Sequence, residues 1–171
     1  GCGHRDVVVG IAASGSTPYT LAAIGAAKTC GALTIGLANN PGSALLEEAE
    51  CGVLLETGPE VLAGSTRMAA GTSQKIAVNL FSTAVMMRLG KVYRGRMVDM
   101  KTTNKKLVHR AVEMLMQVAD CDEATARGAL ERTAFHVKPA VLVVHGLAPD
   151  EAVAALARNG DDLHRTLAGL D

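Results

Sequence analysis

The chain has 171 residues, 49% hydrophobic and 20% charged, which suffices for one solid core, or one domain with an appendage, in a globular protein. Lys and Arg number 17 and Asp and Glu number 17, so neither nucleic acid nor an anionic membrane is expected as the main partner. Aromatics are 2%, and the four cysteines (Cys2, Cys30, Cys51, Cys121) are scattered, which argues against a base-stacking platform, a disulfide scaffold or a structural zinc site.

The chain opens on Gly1 and enters a strand almost at once, so it reads as lacking an upstream portion. Asp6 to Ala13 is an apolar, β-branched run of the kind buried on both faces of a parallel sheet. Tyr19 to Cys30 reads as a helix stopped by Gly31. Leu33 to Ala38 is a second strand, closed by the turn residues Asn39, Asn40, Pro41 and Gly42. Ser43 can cap a short helix through Ala49, and Gly52 to Glu56 is a third strand. This alternation implies right-handed crossovers and a parallel sheet. Three strands make a thin sheet, which again suggests missing upstream elements.

Thr66 to Leu89 reads as one long helix whose Ile76, Leu80, Thr83, Ala84 and Met87 form an apolar stripe. Lys91 to Asn104 is a polar connection, and the rest is helical, with Ala140 to Val144 a buried helix rather than a strand. Weak self-similarity between Leu130–Val137 and Leu156–Leu163, each preceded by Asp-Glu-Ala, suggests two stacked helical hairpins. Packing on the α/β body is the favoured role for this tail, ahead of a small ubiquitin-associated-like binding module. The expected division is residues 1–103 and 104–171. No apolar stretch reaches the ~20 residues that span a bilayer, and free thiols suit a cytoplasmic location. None of the five histidines is paired at metal spacing, so no metal is expected, and His145 reads as a hydrogen-bonded core imidazole.

Two segments carry chemistry. In the first, a strand runs into Ser14, Gly15, Ser16 and Thr17, with Pro18 behind them. Proline suits the first position of a helix, where its missing N–H is no loss. Thr17 is then the N-cap. First-turn N–H groups and the hydroxyls of Ser14, Ser16 and Thr17 suit a phosphate, and Gly15 lets the backbone come close. The alternative is an ordinary capped helix behind a tight turn. No GxxxxGK[ST] or GxGxxG pattern is present, which argues against ATP-type and NAD-type loops, and no cofactor is expected. In the second segment, Gly58-Pro59-Glu60 and Gly64-Ser65-Thr66 lead into the long helix. Glu60 alone would ordinarily be a solvated carboxylate.

Together these segments resemble the paired loops of the sugar isomerase (SIS) superfamily. The stretches IAASGSTPY, NNPGS, GPEVLAGSTRMAAGT, NLFSTAVMMRLGKVY and MVDMKTTNKKL are, in the same order, similar to those of the N-acetylmuramic acid 6-phosphate etherases. The resemblance runs from Asp6 to the C-terminus. It implies an SIS-type α/β fold, a parallel sheet sandwiched by helices and truncated at its N-terminus, followed by an all-helical tail. It also implies that Ser14, Gly15, Ser16 and Thr17 bind phosphate and that Glu60, Ser65 and Thr66 line the sugar site. Arg is usual in the family where Ser16 stands here, and Lys where Ala70 stands.

The implied reaction cleaves the D-lactyl ether of N-acetylmuramic acid 6-phosphate by elimination and hydration, giving N-acetylglucosamine 6-phosphate and D-lactate. The family's two catalytic glutamates lie upstream of the part matched here, so Glu60 is only a weak catalytic candidate and these residues alone are expected to be inactive. A phosphorylated amino sugar is the expected ligand and a homodimer the expected assembly. The alternatives are a sugar-phosphate-binding regulator resembling glucokinase regulatory protein, or a phosphosugar isomerase.

Overall fold

The structure is a computed structural model that describes residues 1–100, 102 and 104–170. The chain divides into two compact units, Gly1–Phe81 and Ser82–Asp171.

In the first unit β1 (Val7–Ile11), β2 (Leu33–Ala38) and β3 (Cys51–Leu54) form a parallel sheet in the order β1-β2-β3. Helix α1 (Pro18–Thr29) and the short α2 (Ala44–Glu48) provide the crossovers. Gly10, Gly36 and Gly52 are in register across the three strands. A methyl group on them would lie 2.8 Å from Ile24 Cγ1, 2.6 Å from the Leu45 carbonyl oxygen and 2.5 Å from the Leu46 carbonyl oxygen. This glycine row lets α1 and α2 press onto one face of the sheet, where Ala12, Ile24, Ala38, Leu45 and Ala49 form the core.

The other face departs from the expectation that β1 is buried on both sides. Val7, Val9 and Ile11 are 53%, 39% and 39% exposed. Within this unit Ala77, Val78 and Phe81 line the same apolar cavity as Val9, Ile35 and Val53, about 340 Å³ in volume. They belong to α3 (Ala69–Arg88). The stripe read on that helix is also uncovered, with Ile76, Leu80 and Met87 at 51%, 67% and 58% exposure. Apolar periodicity records that a face is suited to burial and does not name the element that covers it.

The second unit begins with a feature the sequence reading missed. Val92–Tyr93 (β4) and Arg96–Met97 (β5) pair as an antiparallel hairpin within the expected polar connection. Its two-residue turn, Arg94-Gly95, has φ of 46° and 72°, the left-handed pair that a tight hairpin requires. Helices α4 (Lys105–Ala119), α5 (Glu123–Arg132), α6 (Val137–Val144), α7 (Pro149–Arg158) and α8 (Leu163–Ala168) follow. Asn104, Asp122 and Asp162 accept first-turn N–H groups and start α4, α5 and α8. The two Asp-Glu-Ala openings are not equivalent, because Asp122 is the N-cap of α5 whereas Asp150 lies inside α7.

Helix α6 is the centre of this unit. Val137, Ala140, Val141 and Leu142 are buried against Leu115, Leu130 and Leu156, so the apolar run at 140–144 is helical and buried, as read from its flanks. His145 lies just beyond and is exposed rather than in the core, with Nδ1 2.9 Å from the Val141 carbonyl oxygen. Among the described residues no single helix is long and apolar enough to cross a membrane.

Candidate functional site

The loop between β1 and α1 occupies the C-terminal end of a parallel strand, where open α/β sheets present ligand-binding loops. Thr17 is the N-cap, its hydroxyl makes no capping bond, and Pro18 is the first helical residue. Gly15 has φ +65° and donates its N–H to the Ala12 carbonyl oxygen at 3.0 Å. The Ser14 hydroxyl accepts the Ser16 N–H at 3.3 Å and the Ser16 hydroxyl at 3.1 Å. Ser14, Ser16 and Thr17 are exposed and Gly15 is buried. The Leu21 N–H donates to the Thr17 carbonyl oxygen at 3.1 Å, one turn back, and the N–H groups ahead of it belong to the first turn, which has no intrahelical partners. The corner is therefore open to solvent, with unspent donors at the positive end of a helix.

A second helix supports this loop from beneath. The Leu45 N–H donates to the Gly15 carbonyl oxygen at 2.9 Å. Ser43, the N-cap residue of α2, has a buried hydroxyl oxygen without a hydrogen-bond partner, directly under Gly15.

The Glu60 loop is built differently from the expectation. Helix α3 starts at Ala69, not Thr66, because Glu60 supplies its N-terminal acceptors from nine residues upstream. The Ala69 and Ala70 N–H groups donate to the two carboxylate oxygens at 3.0 and 2.9 Å. The bonds from Ala70 and then Ala69 hold the Glu60 carboxyl below its ordinary 4.5, against a smaller opposing effect of desolvation. A carboxylate so engaged is an anion at neutral pH and a poor proton acceptor. Ser65 and Thr66 lie in the turn before the helix, where the Ser65 N–H donates to the Leu62 carbonyl oxygen at 3.0 Å and the Thr66 carbonyl oxygen accepts from Gly71 at 2.9 Å. Ser65 is half-buried, Thr66 is exposed and Ala70 is buried.

Between the two loops stands Asn39, at the end of β2, which the sequence reading treated as an ordinary turn residue. Its backbone N–H donates to the Ala13 carbonyl oxygen at 3.0 Å, next to Ser14. Its side-chain amide donates to the Leu55 carbonyl oxygen at 2.7 Å and to the Ser73 hydroxyl at 2.9 Å, and accepts from the Gln74 side chain at 2.8 Å. A polar amide directly after the buried end of a strand was the available signal.

In the second unit, Lys138 is 3% exposed and donates to the Asp161 carboxylate at 2.7 Å and to the Asp161 carbonyl oxygen at 2.8 Å. Lys91 pairs with Asp99, and its ammonium is pushed above its ordinary value chiefly by that bond. Burial raises the Asp99 carboxyl, but Lys91 and Lys138 outweigh it and leave it lowered. Opposed in sign and mutually satisfied, these four groups bind β4–β5 to the helices. Among the described residues no three His, Cys, Asp or Glu side chains come together at ligand distance for a metal ion.

Residues 2–84 match the SIS domain model, and residues 94–147 match a model described as the C-terminal lid domain of glucokinase regulatory protein. An N-acetylmuramic acid 6-phosphate etherase from Deinococcus radiodurans is 46% identical over 96% of this chain and 54% of its own length. Its namesake from Edwardsiella ictaluri is 49% identical over 91% of this chain and 52% of its own. That from Symbiobacterium thermophilum is 52% identical over 81% and 46%. The chain thus spans about half the length of the curated relatives it matches. A crystal structure of a candidate phosphosugar isomerase from Bacillus subtilis is 23% identical, covering 78% of this chain and 36% of that one, with a TM-score of 0.39.

Proposed function

The chain belongs to the N-acetylmuramic acid 6-phosphate etherase family, as a C-terminal portion carrying an SIS domain, and from that premise we propose that it supplies the sugar-phosphate-binding part of such an enzyme. The observation that supports this most directly is the open corner at Ser14–Thr17. A phosphate monoester there accepts the free first-turn N–H groups of α1 and the Thr17 hydroxyl. The Ser14 and Ser16 hydroxyls, bonded among the described residues to each other and to loop backbone, turn toward the anion. Gly15 holds the approach open, and the helix end favours the negative charge by about 0.3–1 kcal/mol at an exposed site.

In this reading the ligand is a phosphorylated amino sugar, and the reaction is cleavage of the D-lactyl ether of N-acetylmuramic acid 6-phosphate to N-acetylglucosamine 6-phosphate and D-lactate. Removal of the C2 proton calls for a carboxylate that can accept it. Glu60 is spent on two N–H groups, so its part is to shape the sugar side with Ser65 and Thr66. The proton-transferring carboxylates then lie outside these residues, and the 171-residue chain is inactive alone. Residues 1–103 act as the sugar-phosphate-binding domain and 104–171 as a helical subdomain. The protein is placed in the cytoplasm as a homodimer, the latter supported by the uncovered apolar residues of α3.

The match of residues 94–147 to the lid domain of glucokinase regulatory protein favours a second reading, a sugar-phosphate-binding regulator without catalysis. The deciding experiment measures D-lactate release from N-acetylmuramic acid 6-phosphate by the full-length protein and by this chain. Release by the former alone is expected. Turnover by the short chain would refute the placement of the base, and sugar-phosphate binding without release by the full-length protein would favour the regulator.

A further inference from the structure

We infer that Asn39 is a positioning residue that fixes the distance between the phosphate-gripping loop and the Glu60 loop; the inference rests on the sugar-phosphate reading above. Asn39 is 9% exposed, and a buried amide is costly unless its donors and acceptor are all used. Here they are used on two different segments. One amide hydrogen goes to the Leu55 carbonyl oxygen behind β3, at 2.7 Å. The other goes to the Ser73 hydroxyl of α3 at 2.9 Å, and the amide oxygen accepts from Gln74 one residue on, at 2.8 Å.

The bonds continue on both sides. The Ser73 hydroxyl donates to the Ala70 carbonyl oxygen at 2.7 Å, and the Ala70 N–H donates to Glu60 at 2.9 Å. On the other side the Asn39 N–H holds the Ala13 carbonyl oxygen at 3.0 Å, one residue before Ser14. A continuous path of hydrogen bonds thus joins the residue preceding the phosphate loop to the Glu60 carboxylate. Only an amide fits its centre, because two donors and an acceptor must diverge from one planar group. Satisfied buried networks of this kind impose a single geometry on the segments they join.

A ligand that touches one loop is insensitive to the spacing, whereas one that reaches from phosphate to sugar depends on it. The test therefore compares two probes, inorganic phosphate and N-acetylglucosamine 6-phosphate, titrated calorimetrically into the full-length protein. Asn39→Asp, which removes both amide donors, and Ser73→Ala, which removes the hydroxyl that accepts from Asn39 and donates to Ala70, should leave the phosphate affinity within about twofold while lowering the sugar-phosphate affinity about tenfold, the order expected when hydrogen bonds of a positioned site are lost. Ser73→Thr, which keeps the hydroxyl, should restore it. Should Asn39→Asp fail to fold, Ser73→Ala and its threonine counterpart decide the matter. An unchanged ratio of the two affinities in Ser73→Ala overturns the inference and leaves the site standing. Wild-type protein that binds neither probe overturns the sugar-phosphate reading and the inference with it.

Discussion

Adding one methyl group at Gly15 tests the construction of the phosphate corner. Gly15 has φ +65°, and an L side chain in that region costs about 1–2 kcal/mol. Its new Cβ would stand 2.1 Å from the Ser43 hydroxyl oxygen, 2.5 Å from Ser43 Cβ and 3.0 Å from Ala38 Cβ. Overpacking where neighbours are tethered costs about 1–3 kcal/mol more. Relief is limited, because Leu45 holds the Gly15 carbonyl and Ala38 belongs to the central strand. Gly15→Ala should therefore destabilise the protein by about 2–5 kcal/mol, read from urea unfolding followed by circular dichroism. Ser43→Gly separates the two contributions. It removes both close atoms, and since the Ser43 side chain makes no capping bond it should cost only a few tenths of a kcal/mol by itself, roughly as for a glycine N-cap. In the double variant the overpacking share should return and the backbone share should remain. Stability of Gly15→Ala within about 0.5 kcal/mol of wild type, the usual scatter for harmless surface changes, would refute the reasoning, as would a double variant that recovers nothing.

Two other perturbations address the remaining features. Since the Glu60 carboxyl is held below its ordinary 4.5, the folded protein binds that proton more weakly than the unfolded chain does. Its stabilising effect is complete above the unfolded value and fades as pH falls through the lowered folded one. Amide hydrogen exchange at Ala69 and Ala70 should accelerate on acidification through that window in wild type, after correction for intrinsic rates, and show no such step in Glu60→Gln; parallel profiles would disprove the link. Lys138 is 3% exposed while its partners Asp99 and Asp161 are 38% and 51% exposed, so water can take over part of the partners' charge. Lys138→Ala should cost about 1–3 kcal/mol, less than the 3–5 kcal/mol of a fully buried pair, and Lys138→Met, which keeps the packed stem, should cost less still. Equal losses in the two variants would assign the whole effect to charge.

Local signals served well where chemistry is local. Pro18 behind Thr17 marked the start of α1 because proline tolerates the first helical position and little else nearby. The apolar runs at Val7–Ile11 and Leu33–Ala38 became paired parallel strands because β-branched residues suit a pleated interior. The Arg94-Gly95 hairpin was legible in part, since a glycine at the second of two turn residues is a hairpin signal, but its strands are only two residues each and one of them opens on Arg96. The start of α3 was not legible, because Thr66 looks like a cap and Glu60 caps the helix through a folded loop.

The alternation of strands and helices over Val7–Leu54 and the hydroxyl-rich corner at Ser14–Thr17 were determined by sequence alone, since backbone propensity is a property of neighbouring residues. Tertiary structure decided the rest. It set Ser43 beneath Gly15, spent the Glu60 carboxylate on a helix end, made Asn39 the joint between two loops, and buried Lys138 against Asp161. Each of these depends on groups far apart along the chain meeting within about 3 Å, the reach of a hydrogen bond, and no local pattern encodes such a meeting.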